Sequence, residues 1–293
     1  MTGEFSPPGP GVAREPGSRP ASRPSADLGR LTADLRSLGL LRGQDLLVHC
    51  SLSAIGWVDG GPATLLQAIA DVTGPAATIV VSAQTPWTSR TSRAFRAATT
   101  GRDQKGIDDY VASLPVFDRE STPSYGVGKF AEYVRTHAEA KRSGHPQTSF
   151  AALGPGAAAI ASGHDPECHL GERSPLRWLY DADAAILLLG VGYAVCSAFH
   201  LAEYRVPWNR PQTYSCFIAE EGRRVKHEFT GIVLDDSVFD LLGRAMESGA
   251  SLGRVPGLRL GRVGSATARL VPLRTAVDFA GSWLMNRRGH DIS

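Results

Sequence analysis

A chain of 293 residues, 42% hydrophobic and 20% charged, can bury a core without disulfide or metal staples. Its net charge of +2 comes from basic residues interspersed with acidic ones, and only short pairs such as Arg223-Arg224 occur, so the basic stripe of a nucleic-acid binder is missing. Four cysteines without a C-x-x-C, no run of the roughly 20 apolar residues a bilayer span needs, and prolines and arginines where a signal peptide would be apolar predict a reduced, cytoplasmic, metal-free protein.

Residues 1–25 are rich in Pro, Gly, Ser and Arg and poor in large apolar side chains. Such a tract cannot offset its ordering entropy, which predicts a disordered tail and one domain over 26–293. Leu28, Leu31, Leu35 and Leu38 fall at helical spacing, and Gly39 supplies a stop. Asp45 to Cys50 reads as a buried strand running into a Ser/Gly loop. Pro62 suits the first turn of a helix continued by Leu65, Leu66, Ile69 and Val72, and Thr78 to Ser82 is the next strand. This order predicts a parallel βαβ unit.

Residues 85–125 are polar and weakly patterned, as in a long functional or mobile loop. A helix is expected over about 128–138 and another from Ser174 to Asp181, with Pro175 in its first turn. The run from Ala185 to Tyr193 is the most hydrophobic and predicts a central strand. Tyr214–Ile218 and Val225–Phe229, joined through Glu221-Gly222, read as a hairpin, with helices near 237–248 and 273–287. The fold class is α/β with an antiparallel addition.

Three clusters carry chemistry. Val48 to Trp57 leaves a strand's carboxyl end, where open α/β sheets collect ligands. Ser51 and Ser53 there either hold phosphate or carbonyl oxygens or simply form the turn. In Arg142 to Phe150, His145 precedes Pro146 and is held extended, which suits either a ligand contact or a structural histidine. Gly190 to Tyr204 leaves the most buried strand. On a helix, Ser197 and His200, and His200 and Glu203, would share a face, bringing hydroxyl, imidazole and carboxylate together as a general base requires. Glu172 is a second carboxylate able to orient the imidazole.

Taken in order, these blocks resemble the aminoglycoside 3-N-acetyltransferase family. The stretch His49-Cys50-Ser51-Leu52-Ser53-Ala54-Ile55-Gly56 is similar to that family's His-Ser-Ser-Leu-Ser-x-Ile-Gly. Ser143 to Ala152 matches Ser-x-His-Pro-x-x-Ser-Phe-Ala-Ala, and Leu170 to Leu176 matches Leu-Gly-Glu-x-Ser-Pro-Leu. Gly190 to Tyr193 with His200 to Arg205 matches Gly-Val-Gly-Tyr followed by His-Leu-Ala-Glu-Tyr-Arg. Thr122 to Gly128 is similar to Thr-Pro-Thr-Arg-x-Met-Gly. The resemblance spans residues 27–288.

It implies an α/β/α layered fold with a mixed central sheet, acetyl-CoA (or another short acyl-CoA) as co-substrate without a metal, and a primary amine as small-molecule acceptor. An aminoglycoside or a related amine metabolite would fill that role. No nucleic-acid or membrane partner is implied, and a homodimer is an admissible assembly. The resemblance places the base at His200 with Glu172 near it, and aligns Ser197 with a family threonine. It places His49, Ser51, Leu52, Ser53, Tyr125, Gly126, Val127, Gly128 and His145 on the cofactor side. Cys50, Tyr125, Val127 and Ala194-Val195-Cys196 depart from the family's Ser, Arg, Met and a polar stretch.

Three readings follow. The first is direct N-acyl transfer with His200 as base. The second is transfer through a covalent intermediate on Ser197 or Cys196, although neither residue sits in a Gly-x-Ser-x-Gly elbow. The third is a binding protein that keeps the fold, against which the retained His200, Glu203 and Glu172 argue. A GCN5-related fold is rejected because the Arg-x-x-Gly-x patterns from Arg36 and Arg254 end in Leu41 and Arg259. The near-neutral charge, with Glu203, Glu172 and Asp118 as available carboxylates, predicts an acceptor less cationic than a typical aminoglycoside.

Overall fold

The computed structural model describes residues 25–290; the expectation for the N-terminal tract falls on residues outside that range. In chain order the first half is β1 (Ser25–Ala26), α1 (Leu28–Leu38), β2 (Leu46–Cys50), α2 (Leu52–Ile55), β3 (Trp57–Val58), α3 (Pro62–Thr73), β4 (Ile79–Ser82), α4 (Arg93–Thr99), α5 (Gln104–Ser113) and α6 (Gly128–Arg135). Then come β5 (Lys141–Arg142), β6 (Phe150–Leu153), α7 (Ala157–Ser162), α8 (Pro175–Asp181), β7 (Ala185–Leu189) and α9 (Phe199–Arg205). The chain continues through β8 (Pro211–Glu220), β9 (Arg223–Ile232), α10 (Phe239–Ser251), β10 (Arg259–Val263), β11 (Ala266–Pro272) and α11 (Leu273–His290).

Seven strands form one mixed sheet in the order β10-β11-β7-β2-β4-β6-β5. Its heart is parallel: β2 pairs with β4 on one side and β7 on the other, while β11 and β6 are antiparallel to their inner neighbours. Strand side chains alternate between faces, and both faces are buried. In β2, Leu46, Val48 and Cys50 join Leu31, Leu35, Leu65, Ile69 and Phe130 from α1, α3 and α6. Leu47 joins Leu176, Phe199, Leu242 and Val277 from α8, α9, α10 and α11 on the opposite face. The result is an α/β/α sandwich. Each fully buried leucine in it is worth about 2–5 kcal/mol against alanine.

Local signals set the element ends. Asp27 accepts the Arg30 N–H at 2.8 Å and so caps α1. Gly39 ends that helix at φ 97, a left-handed conformation that returns its N–H to Leu35 and Arg36. The β8–β9 hairpin turns on Glu221 (φ 50) and Gly222 (φ 76), both positive as a tight two-residue hairpin turn demands.

Residues 85–125 differ from the loop expected there. They hold α4 and α5, capped by Ser92 and Asp103, whose side chains accept from Phe95 N and Gly106 N. These helices bury only Phe95 and Tyr110, so their apolar stripe is too narrow for periodicity to reveal. Strands β10 and β11 lie between the two expected C-terminal helices, where no strand is predicted. The buried face of β11 begins with Ala266 and Ala268, which carry little hydrophobic signal. Among the described residues no helix is long and apolar enough to cross a membrane.

Candidate active site

The carboxyl ends of β2, β4 and β7 open into one cleft of about 1170 Å³. The chain leaves β2 toward α2 and α3 on one face of the sheet and leaves β7 toward α9 on the other. Neighbouring strands whose continuations part in this way leave a crevice at the switch point, where doubly wound sheets bind ligands. Cys50 at the end of β2 with Ser51 after it, Ser82 at the end of β4 with Gln84 after it, and Val191 after β7 all line it.

His200 enters this cleft from α9. Phe199, Leu201 and Ala202 pin the helix to the core, which leaves His200 lining the cleft with buried Glu203 beside it. His200 Nδ1 and Glu203 Oε2 are 2.6 Å apart, and the other carboxylate oxygen accepts the Asp235 backbone N–H at 3.2 Å. A carboxylate can only accept, so Nδ1 carries a proton, and in the neutral ring it is Nε2 that keeps the lone pair. The imidazole ring also lies against Phe239, centroid to centroid 4.8 Å, which restricts its rotation.

Two expected neighbours of His200 are engaged elsewhere. Glu172 accepts from Arg205 Nε at 2.6 Å and Arg177 Nη1 at 2.9 Å, and it does not line the cleft. Burial works against its charge, but these arginine hydrogen bonds outweigh it and hold the carboxyl below its ordinary range. The orienting carboxylate is Glu203 instead. Ser197 lies just before α9, so it does not share a helical face with His200. Its Oγ is 3.3 Å from His49 Nε2, and both residues line the cleft. Burial pushes the His49 imidazole down to about 4, so His49 is neutral near pH 7.

Of the residues expected on the cofactor side, His49, Ser51, Tyr125, Gly126, Val127 and Gly128 line the cleft. Leu52 packs against the core, and exposed Ser53 hydrogen-bonds Ser51 Oγ at 3.2 Å, so neither forms the wall. His145, expected on the cofactor side, does not line the cleft either. It is fully buried, its Nδ1 accepts from Gln147 N and Thr148 N at 3.1 and 3.2 Å, and His164 and His169 lie 4.7 and 4.8 Å from it. It shapes the 146–148 turn from behind. Asp118 is likewise spent on Glu120 N and Ser121 N.

Other side chains build or brace the walls with little local pattern to mark them. Buried Arg142 donates to the carbonyls of Ala83 (2.6 Å), Arg119 (3.3 Å) and Thr122 and to Ser149 Oγ (2.9 Å). It thereby ties the end of β4 to the segment that leads into Tyr125. Gln147 donates to Ser215 O at 3.0 Å, which fixes its amide so that Oε1 accepts from His169 Nε2 at 2.8 Å. Gln212, Tyr214, Leu234, Asp235 and Asp236 bring the hairpin and its exit into the wall. Arg93 at the start of α4 forms an ion pair with Asp236. The adjacent acids Asp235-Asp236, a few residues beyond the hairpin, are the one local signal among these.

The model of the family described as aminoglycoside 3-N-acetyltransferase matches residues 47–285. The chain belongs to that family. The aminoglycoside N(3')-acetyltransferase-like protein YokD of Bacillus subtilis, prophage-derived, is 36% identical over 263 residues, 89% of this chain and 93% of that protein. Its crystal structure superposes with a TM-score of 0.82 at 36% identity, covering 89% of this chain and 94% of that one. Aminoglycoside N(3)-acetyltransferase VII of Streptomyces paromomycinus is 33% identical, covering 89% of this chain and 92% of that protein. The structure of AAC-IIIb in binary complex with CoASH matches at a TM-score of 0.75 and 26% identity, over 90% of this chain and 97% of that one. Family membership makes the chain an N-acetyltransferase, and the layered sheet is that of this family and not of the GCN5 type.

Proposed function

We propose that this enzyme transfers the acetyl group of acetyl-CoA directly to a primary amine of an aminoglycoside or closely related amino sugar, with His200 as general base. The observation that carries the reading is the His200–Glu203 pair, whose tautomer leaves Nε2 as an acceptor in a cleft large enough for two substrates. The relatives' names supply the acceptor class, and the CoASH complex of AAC-IIIb supports the donor.

The cofactor-side wall fits a thin, polar chain. Gly126 and Gly128 have φ 75 and 88; nothing stands within 4 Å of where a Cβ on Gly126 would lie, so the backbone is open to a ligand there, whereas a Cβ on Gly128 would stand 3.0 Å from Cys50 O and glycine lets that turn pack against the end of β2. No side chain caps the first turn of α6, and Ser51 lines the same cleft. An acyl-CoA bound along this wall supplies an activated thioester carbonyl. The chain's own part is to hold an amine at His200. As the amine nitrogen bonds to the acyl carbon, its proton passes to Nε2, and Glu203 stabilises the imidazolium. The C–S bond breaks, and the same proton then neutralises the departing thiolate.

A covalent route through Cys196 has no support in the geometry. Cys196 is buried, and its thiol is pushed up to about 12, so almost no thiolate exists near neutrality. The test of the preferred reading is release of free CoA from acetyl-CoA with a panel of aminoglycosides and simpler amines. Turnover with at least one amine, lost in His200→Ala, is the expected result. Absence of CoA release with every amine overturns the reading.

A further inference from the structure

The two walls of the cleft are joined at its mouth by one ion pair. Arg93 is the first residue of α4, held in place by Ser92, whose Oγ accepts the Phe95 N–H at 2.9 Å. Its Nη2 donates to Asp236 Oδ1, 143 residues away in sequence. Asp236 follows Asp235, whose backbone N–H is bound to Glu203, so the carboxylate of Asp236 is tethered one residue from the His200 dyad. Arg93 and Asp236 both line the cleft, with side chains 75% and 37% exposed.

We infer that Arg93 determines how much positive charge an acceptor is allowed to carry. Its guanidinium occupies the carboxylate that a second ammonium of the acceptor would otherwise take. The inference rests on the acceptor's being an amine, as proposed above.

The other charges at the cleft support this assignment. Glu203 is committed to His200 and to the Asp235 amide, and Glu172 is bound by two arginines away from the cleft. Asp235 holds the Ser237 N–H at 3.0 Å. Arg96 adds a second guanidinium on the same wall as Arg93. An acceptor with several ammonium groups therefore meets Asp236 already paired, Asp235 engaged in its own turn, and the further cation of Arg96 beside them. A solvent-exposed pair is weak enough for a ligand to displace. The exchange of one cation for another on Asp236 then returns little, so extra ammonium groups gain no affinity. A monoamine, which needs only the position at His200, is indifferent to Arg93.

The test uses the full chain and three variants, Arg93→Ala, Asp236→Asn and the double substitution. Calorimetry gives dissociation constants for kanamycin as polycation, for a mono-amino sugar and for CoA. Both side chains are exposed, so folding is not at risk. Arg93→Ala should tighten kanamycin binding by roughly two- to five-fold, the size of an exposed ion pair converted to an equilibrium constant. The gain should shrink at high salt, vanish when Asp236 is Asn, and be missing for the mono-amino sugar and for CoA. Weaker CoA binding with unchanged kanamycin binding would assign Arg93 to the donor and overturn the inference. Equal gains for both amines, no change in any variant, or failure of the parent to bind either amine would also overturn it. Failure of the acyl-transfer reading shows separately, as amine binding without CoA release.

Discussion

Glu203 holds His200 Nδ1 at 2.6 Å with one carboxylate oxygen and the Asp235 N–H at 3.2 Å with the other. One side chain thus sets the proton on the imidazole and anchors the loop that closes the opposite wall. His200→Ala should lower kcat by about 10²–10⁴, the usual range for loss of a general base, with CoA affinity nearly unchanged. Glu203→Gln should lower kcat less and also raise the acceptor KM, because the 235–236 turn loses its tether. Steady-state kinetics with calorimetric CoA binding check both. Parent-level activity in His200→Ala would reduce His200 to a structural role.

Glu172 lies in a block that matches the family pattern but serves a surface network with Arg177 and Arg205. Its side chain is 43% exposed, so solvent screens the network. Glu172→Gln should cost less than about 1 kcal/mol of stability and leave kcat close to the parent. Denaturant titration and kinetics on the same preparation measure the two effects. A kcat loss as large as that of Glu203→Gln would return Glu172 to the site.

Cys196 packs in the core beside Tyr193 and Phe199. Cys196→Ala should keep acetyl transfer, with a modest change in rate and a small loss of stability. Mass spectrometry after mixing with acetyl-CoA should find no acylated protein. An acyl adduct present in the parent and absent from the variant would establish the covalent route.

Burial forces several histidines to remain neutral: His49 and His164 fall to about 4, His169 to about 3, and His145 well below its ordinary value. In the unfolded chain each titrates near 6.5, so between that pH and the folded values the unfolded state binds more protons. Their contribution is complete above about pH 6.5 and is lost progressively as the pH falls toward 4. Melting temperature should therefore be flat near neutrality and fall steeply between about pH 6 and 4, before most carboxylates titrate. His164→Gln should flatten that acid limb. A flat profile down to pH 4 would show that these rings titrate normally.

The sequence by itself determined what depends on short-range pattern. Leucine spacing placed α1, continuous apolar runs placed β2, β4 and β7, and Glu221-Gly222 placed the hairpin, because period and turn chemistry act over a few residues. The three-residue step from His200 to Glu203 was legible for the same reason: once the segment is helical, that spacing puts both on one face. Only the tertiary structure decided which partners the remaining residues take. Glu172 and Glu203 are both carboxylates in matching blocks. Yet Arg177 and Arg205 claim the first, and it is the turn of α9 against the core that gives the second to His200. Ser197 meets His49, 148 residues away, and Arg93 meets Asp236, 143 residues away, contacts set by the order of strands in the sheet and the path of the hairpin. A hydrogen bond depends on a few tenths of an ångström between groups distant in sequence, and no local pattern along the chain encodes that separation.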